Sequence, residues 1–360
     1  MLVIAALCAA VTCFIVPPDG EYAGYFDLKT LSCLFMTLAA VCALRDIRFF
    51  TVAARKTVNL AGNLRLLSLL LVYMTFIGSM LIANDMALIT FLPVGYYALS
   101  VSGKEKYSAY IFILQNISAN LGGMLTPFGN PQNLYIYTYY GIPSGEFTKI
   151  MLPPFILAVA MLTVLCLVLP GEKLVLREKY DFKVPAARAV FYVILFLISI
   201  LSVFRLVPWQ AACAVVIVSL LFSDRTALKS VDYPLLLTFA FFFVFSGNMS
   251  RIPQVRELVG RMLSHDVLIP SVISCQFISN VPTALLLSRF TDNYRELLLG
   301  VNIGGTGTLI SSLASLITFS EFCTLYPDKK KHYLLLFALL NLLFLVVLGG
   351  FGIFLTTVVH

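Results

Sequence analysis

Long apolar runs separated by short polar segments extend over the whole chain. A helix needs about 20 apolar residues to cross the hydrocarbon core of a bilayer. The pattern therefore predicts an all-α polytopic membrane protein whose helices cross the bilayer several times. The apolar segments lie at residues 1–16, 28–46, 64–101, 107–140, 148–170, 189–205, 208–223, 233–249, 266–291, 294–326 and 333–357.

Four of these segments are long and are interrupted by polar residues or glycines. Two interruptions are the runs Ala83-Asn84-Asp85 and Ser279-Asn280-Val281-Pro282. Unpaired backbone groups are not tolerated against lipid, so such breaks belong in cavities walled by protein or filled with water. We predict two re-entrant helical hairpins and two discontinuous helices. The hairpins are predicted at 64–101 and 266–291, and the discontinuous helices at 107–140 and 294–326.

Composition supports this interpretation and narrows the class of protein. The chain has 360 residues, of which 60% are hydrophobic and 12% charged, and its mean hydropathy is +0.93. Soluble domains contain about 45–50% apolar and about 25% charged residues. These figures exclude a soluble enzyme, a nucleic-acid-binding module and a disordered chain. The eight cysteines show no CxxC spacing, so we expect buried thiols rather than metal ligands.

The net charge of +7 fits a topological role for the cations rather than a nucleic-acid surface. If the N-terminus is cytoplasmic and both hairpins return to the side from which they start, 17 of the 25 lysines and arginines lie inside and 8 outside. This bias predicts nine full spans in a bacterial inner (plasma) membrane. Three of the external arginines lie on 251–264, which we interpret as an amphipathic helix at the membrane surface.

An internal repeat is the most specific signal in the chain. The segment from Asn120 to Asn133 aligns without a gap with the segment from Asn302 to Ser315, and each follows a hairpin break. An odd number of spans separates the two units, so the second is inverted relative to the first. Inverted repeats with discontinuous helices are typical of secondary transporters. The matched positions are Asn84 with Asn280, Asn120 with Asn302, Gly122 and Gly123 with Gly304 and Gly305, Thr126 with Thr308, Asn130 with Ser312, Asn133 with Ser315, and Asp27 with Asp232.

The repeat defines three regions of the chain. We predict a first repeat over 1–175, with spans 1–4 and the first hairpin. A cytoplasmic linker is predicted over 176–188. A second, inverted repeat is predicted over 189–360, with spans 5–9 and the second hairpin.

The residue types at the breaks suit the binding of a small ion. Glycines let a chain leave helical geometry and let a ligand approach the backbone, although they also permit close helix packing. Helix N-termini attract anions, and free carbonyls at helix ends suit Na⁺. The predicted substrate-binding residues are Asn84, Asn120, Gly122, Gly123, Thr126, Asn130, Asn133, Ser279, Asn280, Thr283, Asn302, Gly304, Gly305, Thr308, Ser312 and Ser315. The predicted ion-coupling residues are Asp85, Asn84, Asn120, Asn280 and Asn302.

Asp85 is the one acidic residue that the predicted layout places deep in the membrane. Intramembrane carboxylates are costly and usually functional. Three roles remain open for Asp85: a Na⁺ ligand, a proton carrier, or a structural cap at the start of the second hairpin helix. The chain contains no HExxH or GxxxxGK[ST] motif, so we expect neither an enzyme nor a nucleotide-driven pump. Apart from Na⁺, we expect no cofactor or metal.

These segments resemble the ion transporter superfamily. The superfamily includes arsenite permeases, citrate–metal transporters, NhaD-type sodium/proton antiporters and sodium-coupled di- and tricarboxylate carriers. The resemblance implies a transport domain that holds both hairpins, a scaffold domain, frequent homodimers and elevator-type movement. The motifs that carry it are Ala83-Asn84-Asp85-Met86-Ala87-Leu88 with Pro93, Ser118-Ala119-Asn120-Leu121-Gly122-Gly123, Gly129-Asn130-Pro131-Gln132-Asn133, Ser279-Asn280-Val281-Pro282-Thr283, Gly304-Gly305, and Ser311-Ser312-Leu313-Ala314-Ser315.

The hairpin tips differ from those of the carboxylate carriers, which carry Ser-Asn-Thr at both. The forms here resemble the arsenite permeases and citrate transporters more closely. We therefore expect a secondary transporter coupled to Na⁺ or H⁺ that moves a small anion, either a di- or tricarboxylate or a related oxyanion. The alternatives are an arsenite or metalloid efflux permease and a Na⁺/H⁺ antiporter.

Overall fold

The fold was analysed in a computed structural model, which describes residues 1–174 and 183–359. The predicted linker at 176–188 therefore lies partly outside the described residues, as do the predicted boundary at 175 and the final residue 360. The division of the chain into two repeats stays a prediction.

The described residues form α-helices joined by short loops and 3₁₀ turns, and they form no β-strand. Each predicted apolar segment coincides with one helix or with two helices separated by a break. The helices are α1 Leu2–Ile15, α2 Leu28–Asp46, α3 Phe49–Val58, α4 Leu64–Ile82, α5 Asn84–Val101, α6 Ser108–Gly122, α7 Pro131–Tyr139, α8 Ser144–Leu167, α9 Ala186–Val203, α10 Trp209–Ser223, α11 Arg225–Lys229, α12 Tyr233–Arg251, α13 Pro253–Leu263, α14 Leu268–Ile278, α15 Asn280–Leu287, α16 Tyr294–Ile303, α17 Leu313–Leu325 and α18 Lys330–Val359.

The all-helical, membrane-type architecture predicted from the sequence is confirmed. Within the described residues, six helices are long and apolar enough to cross a bilayer, namely α2, α4, α8, α9, α12 and α18. Shorter apolar helices such as α1, α10, α14 and α17 accompany them. The count of nine spans, the inversion of the repeat and the re-entrant course of the hairpins stay predictions.

All four predicted breaks are present. Ala83 separates α4 from α5 at φ 66° and ψ 153°, and Ser279 separates α14 from α15 at φ 75° and ψ 159°. Positive φ is unfavourable for residues with a Cβ, so each position stores local strain in the same unusual conformation. Non-helical segments also separate α6 from α7 and α16 from α17.

Three helices lie outside the predicted apolar segments, and two of them, α3 and the five-residue α11, were not predicted. The helix α3 was not predicted, because its ten residues include Arg55 and Lys56 and fall between two apolar runs. The predicted amphipathic helix at 251–264 is present as α13, with Leu258 and Met262 exposed on its surface. Its position at a membrane surface stays a prediction.

The broken helices pack into the centre of the molecule. Helix α4 contacts α5, α6 and α8, while α14 contacts α15, α16 and α18. The second part of each discontinuous helix packs on the helices of the other half of the chain. Helix α17 packs on α5 and α6, and α7 packs on α15 and α16. This interlocking brings the four breaks together.

Candidate functional site

A cavity of about 300 Å³ lies where the breaks meet. The first residues of α5, α7, α15 and α17 line it, as do the starts of α1 and α12. No lysine or arginine side chain is among its described lining residues, whereas Asp85 and Asp232 both are. Several helix N-termini, each with partial positive charge, thus face one small volume beside two carboxyl groups.

The two hairpin breaks share local geometry at this cavity. Asn84 and Asn280 each begin the second helix of their pair and are 5% and 4% exposed. The Asn84 Oδ1 atom accepts a hydrogen bond from the Asp85 N–H at 3.0 Å, and Asn280 Oδ1 accepts one from the Val281 N–H at 2.8 Å. Both side chains are therefore held by the helix that follows them, and both line the cavity.

Asn120 joins the first hairpin to the second discontinuous helix. Its Oδ1 atom accepts hydrogen bonds from Asn84 Nδ2 at 3.2 Å and from the Ser312 hydroxyl at 2.8 Å. Its Nδ2 atom is buried and has no partner among the described residues. Asn120 therefore lies one layer behind the cavity and retains an unused donor.

Asn302 has the corresponding position in the second half. Its Nδ2 atom donates to Asn133 Oδ1 at 2.6 Å, and its Oδ1 atom accepts from Asn130 Nδ2 at 3.5 Å. The sequence alignment matches Asn120 with Asn302 and Ser312 with Asn130. The Asn120–Ser312 and Asn302–Asn130 contacts are therefore reciprocal, as a two-fold relationship between the halves requires.

The paired threonines are also equivalent, but they fix the hairpins instead of lining the cavity. The Thr126 hydroxyl donates to the Met80 carbonyl at 2.9 Å, and the Thr308 hydroxyl donates to the Gln276 carbonyl at 3.0 Å. Met80 and Gln276 each lie four residues before the hairpin asparagine. Thr308 is exposed, and neither threonine is among the lining residues.

The glycine pairs have contacts that explain their lack of a side chain. A Cβ on Gly122 would lie 2.3 Å from the Phe76 carbonyl oxygen, and one on Gly304 would lie 2.8 Å from the Cys275 Cβ. These two glycines allow close packing of α6 on α4 and of α16 on α14. A Cβ on Gly123 would lie 2.3 Å from Asn130 Oδ1, and one on Gly305 would lie 3.0 Å from Asn280 Nδ2. The second glycine of each pair therefore makes room for a site asparagine.

The remaining predicted residues take supporting positions. The Ser279 side chain lines the cavity and donates to the Ser311 carbonyl at 3.3 Å. The Thr283 hydroxyl donates to the Ser279 carbonyl at 2.7 Å. The Ser315 N–H donates to the Ser312 hydroxyl oxygen at 3.3 Å, and Ser315 Oγ accepts from Asn116 Nδ2 at 3.2 Å.

Asp85 lines the cavity with one carboxylate oxygen unsatisfied. Its Oδ1 atom is buried and has no hydrogen-bond partner among the described residues. Helix α5 has no side-chain cap, so the capping role that the sequence left open has no support in these contacts. Carboxylate, amide and hydroxyl oxygens near helix ends are the donor types that Na⁺ accepts. Asp85, Asn84 and Asn280 place such oxygens at one cavity.

Among the lining residues that the sequence interpretation did not assign to the site, two carry an amide or carboxyl side chain, namely Gln132 and Asp232. Gln132 is 1% exposed, and its buried Oε1 atom has no partner among the described residues. Asp232 caps α12 by accepting from the Leu235 N–H at 3.0 Å, just as Asp27 caps α2 by accepting from the Thr30 N–H at 3.0 Å. Gln132 stands inside the quoted Asn130–Asn133 motif, so the signal for it was present. Asp232 was matched with Asp27, but nothing local indicated that it reaches the cavity.

Comparisons with known proteins agree with this architecture. A family model described as citrate transporter matches residues 1–294. The chain is 30% identical over 302 residues to the uncharacterized transporter MJ0456 of Methanocaldococcus jannaschii, covering 81% of this chain and 80% of that protein. It is 29% identical over 279 residues to the inner membrane protein YbiR of Escherichia coli, covering 75% and 73% of the two chains.

Proposed function

The chain belongs to the citrate transporter family and is a membrane transporter, and from this premise we propose that it moves a small anion by cation-coupled secondary transport. The substrate class is a di- or tricarboxylate such as citrate, or a related oxyanion. The coupling ion is Na⁺ or H⁺. The protein works as a multi-pass protein of the bacterial inner membrane, with a cytoplasmic N-terminus.

The convergence of helix N-termini at one cavity carries the proposal of an anionic substrate. The starts of α5, α7, α15 and α17 all line the same space of about 300 Å³. A helix start presents backbone N–H groups and the positive end of the helix dipole. Such ends bind carboxylate and phosphate groups without any cationic side chain. Amide groups of Asn84, Asn280 and Gln132 add donors at the same surface.

The two carboxyl groups at the cavity explain why the substrate needs a cation. Asp85 and Asp232 line it, and no lysine or arginine side chain among the described lining residues balances them. An anion placed beside an ionised carboxylate is repelled, and the repulsion is strongest at Asp85, whose Oδ1 atom is buried from water. A proton on Asp85, or Na⁺ beside it, removes that repulsion. Binding of the anion and binding of the cation are thus favourable together and unfavourable separately.

The reciprocal contacts support alternating access by an inverted pair of repeats. The same side-chain contact occurs twice, as Asn120 with Ser312 and as Asn130 with Asn302. The hairpin tips also repeat one unusual backbone conformation at Ala83 and Ser279. Two nearly equivalent halves can exchange conformations, which would open a central site first to one side and then to the other. We propose that both hairpins move together as an elevator domain in a homodimer.

Metalloid efflux is the second candidate. The amide-rich cavity without a cationic side chain also suits an uncharged hydroxyl-bearing solute such as arsenous acid. A Na⁺/H⁺ antiporter would use Asp85 alone and would need no organic substrate. Arsenite resistance and salt tolerance of a sensitive strain that expresses the protein would separate these candidates from anion uptake.

Uptake into proteoliposomes tests the proposal. Purified protein is reconstituted, and uptake of radiolabelled citrate, succinate and phosphate is measured with an inward Na⁺ gradient, an inward proton gradient, or neither. We expect at least one anion to accumulate only when a cation gradient is present. Proton flux driven by Na⁺ without any anion would instead identify an antiporter. No gradient-dependent uptake of any of the three anions would contradict the proposal.

A further inference from the structure

A second polar cavity lies at the far end of α12 from Asp232. Helix α12 has 19 residues and is therefore about 28 Å long. Its first half, as far as Phe242, lines the transport cavity, and α13, which contributes Arg256 to the second cavity, follows its other end. The second cavity has a volume of about 560 Å³. We call it the arginine vestibule, and it is lined by Tyr139, Arg256, Gly260, Ser288, Arg289 and Asp292.

The neighbours that hold the Arg289 side chain at this cavity are uncharged. Arg289 Nη2 donates to the Tyr25 carbonyl at 2.8 Å, and the guanidinium lies 5.4 Å from the centre of the Tyr139 ring. These uncharged neighbours fix the side chain without neutralising it. Arg256 comes from the surface helix α13, and within the described residues neither arginine forms an ion pair. The nearby Arg251 differs, because it is paired with the Asp19 carboxylate at 2.6 Å.

The arginine vestibule is joined to the transport site by two short helices. Ser288 follows α15, whose first residue, Asn280, lines the transport cavity. The eight residues of α15 span about 12 Å. Tyr135 on α7 shares a hydrogen bond of 2.8 Å with the Ser288 hydroxyl, and α7 begins beside Gln132 in the same cavity. The two cavities therefore lie at opposite ends of these two short helices.

We propose that the arginine vestibule binds the anionic substrate before the transport site opens to that side. The identity of the anion in this inference rests on the proposed function. The electrostatic argument for anion binding is independent of the proposed function. Two arginines and one exposed carboxylate, Asp292, leave a net positive charge at the mouth. A cleft lined by one sign of charge raises the local concentration of the opposite ion. Guanidinium groups also match carboxylates and oxyanions in geometry.

Thiol labelling measures the charge of the vestibule without any transport. Gly260 lines the cavity, and a Cβ at that position meets no atom within 4 Å, so Gly260→Cys adds a thiol without a clash. Two methanethiosulfonate reagents are compared, one with a sulfonate and one with a trimethylammonium group. The same treatment of the wild-type chain corrects for its eight native cysteines. We expect the sulfonate reagent to be favoured over the cationic one, relative to their rates with a free thiol.

Removal of either arginine should weaken this preference. Arg256→Gln or Arg289→Gln in the Gly260→Cys background should lower the ratio of sulfonate to trimethylammonium rates by about three-fold at low ionic strength. Lys149→Gln is the matched control, because Lys149 is an exposed cation that does not line the vestibule. Lys149 lines a different pocket together with Glu146 and Arg295, which are hydrogen-bonded to each other. The control should leave the ratio unchanged. An unchanged ratio in both arginine variants overturns the proposal. If Arg289→Gln does not fold, the result with Arg256→Gln alone tests the proposal.

Reconstituted transport then distinguishes a dissolved anion from a lipid headgroup. With citrate as the probe, Arg256→Gln should raise KM about two- to five-fold with little change in kcat, and about 0.5 M salt should abolish the difference. Labelling is repeated in vesicles of phosphatidylcholine with and without phosphatidylglycerol. If anionic lipid removes the preference for the sulfonate reagent, a headgroup occupies the vestibule and the proposal is wrong. If none of citrate, succinate and phosphate is transported but the labelling preference is present, the proposed function fails while the anion vestibule stands.

Discussion

Several polar atoms that are buried without partners lie in and around the candidate site. Asp85 Oδ1, Asn120 Nδ2, Asn130 Oδ1 and Gln132 Oε1 are all buried and lack hydrogen-bond partners within the described residues. A buried unsatisfied polar atom costs about 1–3 kcal/mol, so native proteins keep few of them. All four atoms belong to the α4–α5 and α6–α7 breaks. A ligand or cation in the cavity would complete the interactions of the two that belong to lining residues, Asp85 and Gln132.

Replacing Asp85 by asparagine should uncouple transport from its driving ion. Asp85→Asn keeps the shape of the side chain but removes the group that takes up a proton or binds Na⁺. We expect exchange of external for internal labelled citrate to persist, while uptake driven by a Na⁺ or proton gradient is lost. The measurement is the ratio of gradient-driven uptake to exchange in proteoliposomes. Asp328→Asn, in an exposed loop, is the control, and a wild-type ratio in Asp85→Asn would exclude the coupling role.

Pairs of half-helices are the elements that form the site. Each break ends one helix and begins another at the cavity. Unpaired backbone N–H and C=O groups therefore lie at the cavity, whereas in continuous helices these groups would be hydrogen-bonded within the helix. The glycines at 122 and 304 let the discontinuous helices approach the first helix of each hairpin closely. The position of each hairpin tip therefore depends on helix packing several residues away from the cavity.

Gly122→Ala should destabilise the packing of α6 on α4. The new Cβ would lie 2.3 Å from the Phe76 carbonyl oxygen and 2.5 Å from the Ser79 hydroxyl oxygen. Overpacking of this kind costs about 1–3 kcal/mol, so the apparent melting temperature of the purified protein should fall by several degrees. Gly145→Ala is the matched control, since its Cβ meets no atom within 4 Å and alanine favours helix. Equal melting temperatures for Gly122→Ala and Gly145→Ala would contradict the packing role.

A cluster of charges outside the membrane joins the α5–α6 loop to the end of α8. Glu172 accepts hydrogen bonds from Lys104 and Tyr107, and these contacts hold the pKa of its carboxyl below the usual value. When the pKa of a carboxyl is lower in the folded protein than in the unfolded chain, the ionised carboxylate stabilises the fold at pH values above the unfolded-chain pKa. This stabilisation is lost as pH falls through the lowered pKa of the folded protein. We expect the wild type to melt higher than Glu172→Gln between pH 5 and pH 7.

The difference between these two proteins should shrink as pH falls below the ordinary glutamate pKa of about 4.3, and it should vanish once the pH has passed the lowered pKa of the Glu172 carboxyl. Melting temperatures at a series of pH values provide the measurement. Glu257→Gln on α13 serves as the control, because its carboxylate is 64% exposed and pairs only along its own helix with Arg261. A wild-type advantage that grows as pH falls would have the wrong sign for this assignment.

At the scale of the whole molecule, two cavities of opposite character lie at different depths along the same helices. The transport cavity contains two carboxyl groups, whereas the arginine vestibule contains two guanidinium groups and one carboxylate. Helices α12 and α15 connect the two regions. This polarity matters for function only if each end faces a defined side of the membrane.

Cysteine labelling should establish that orientation. Lys56 on α3 and Arg261 on α13 are both exposed, and the charge bias places Lys56 inside and Arg261 outside. A membrane-impermeant maleimide should label Arg261→Cys in intact cells and Lys56→Cys only after the membrane is opened. The wild-type chain measures labelling of the native cysteines. The reverse pattern would invert the topology and would place the arginine vestibule on the cytoplasmic side.

The amino-acid sequence by itself determined the apolar helices, their breaks and most of the polar residues around the site. Hydrophobicity and glycine placement are read along the chain, so α4–α5 and α14–α15 could be predicted with their breaks near Ala83 and Ser279. Only the tertiary structure decided which side chains meet. It placed Asp232 and Gln132 at the cavity. It showed that Thr308 is exposed and hydrogen-bonds to the Gln276 carbonyl outside the cavity, and that Gly122 allows close helix packing. The physical reason is that these contacts join residues distant in sequence, and their geometry depends on how broken helices pack, which no local pattern encodes.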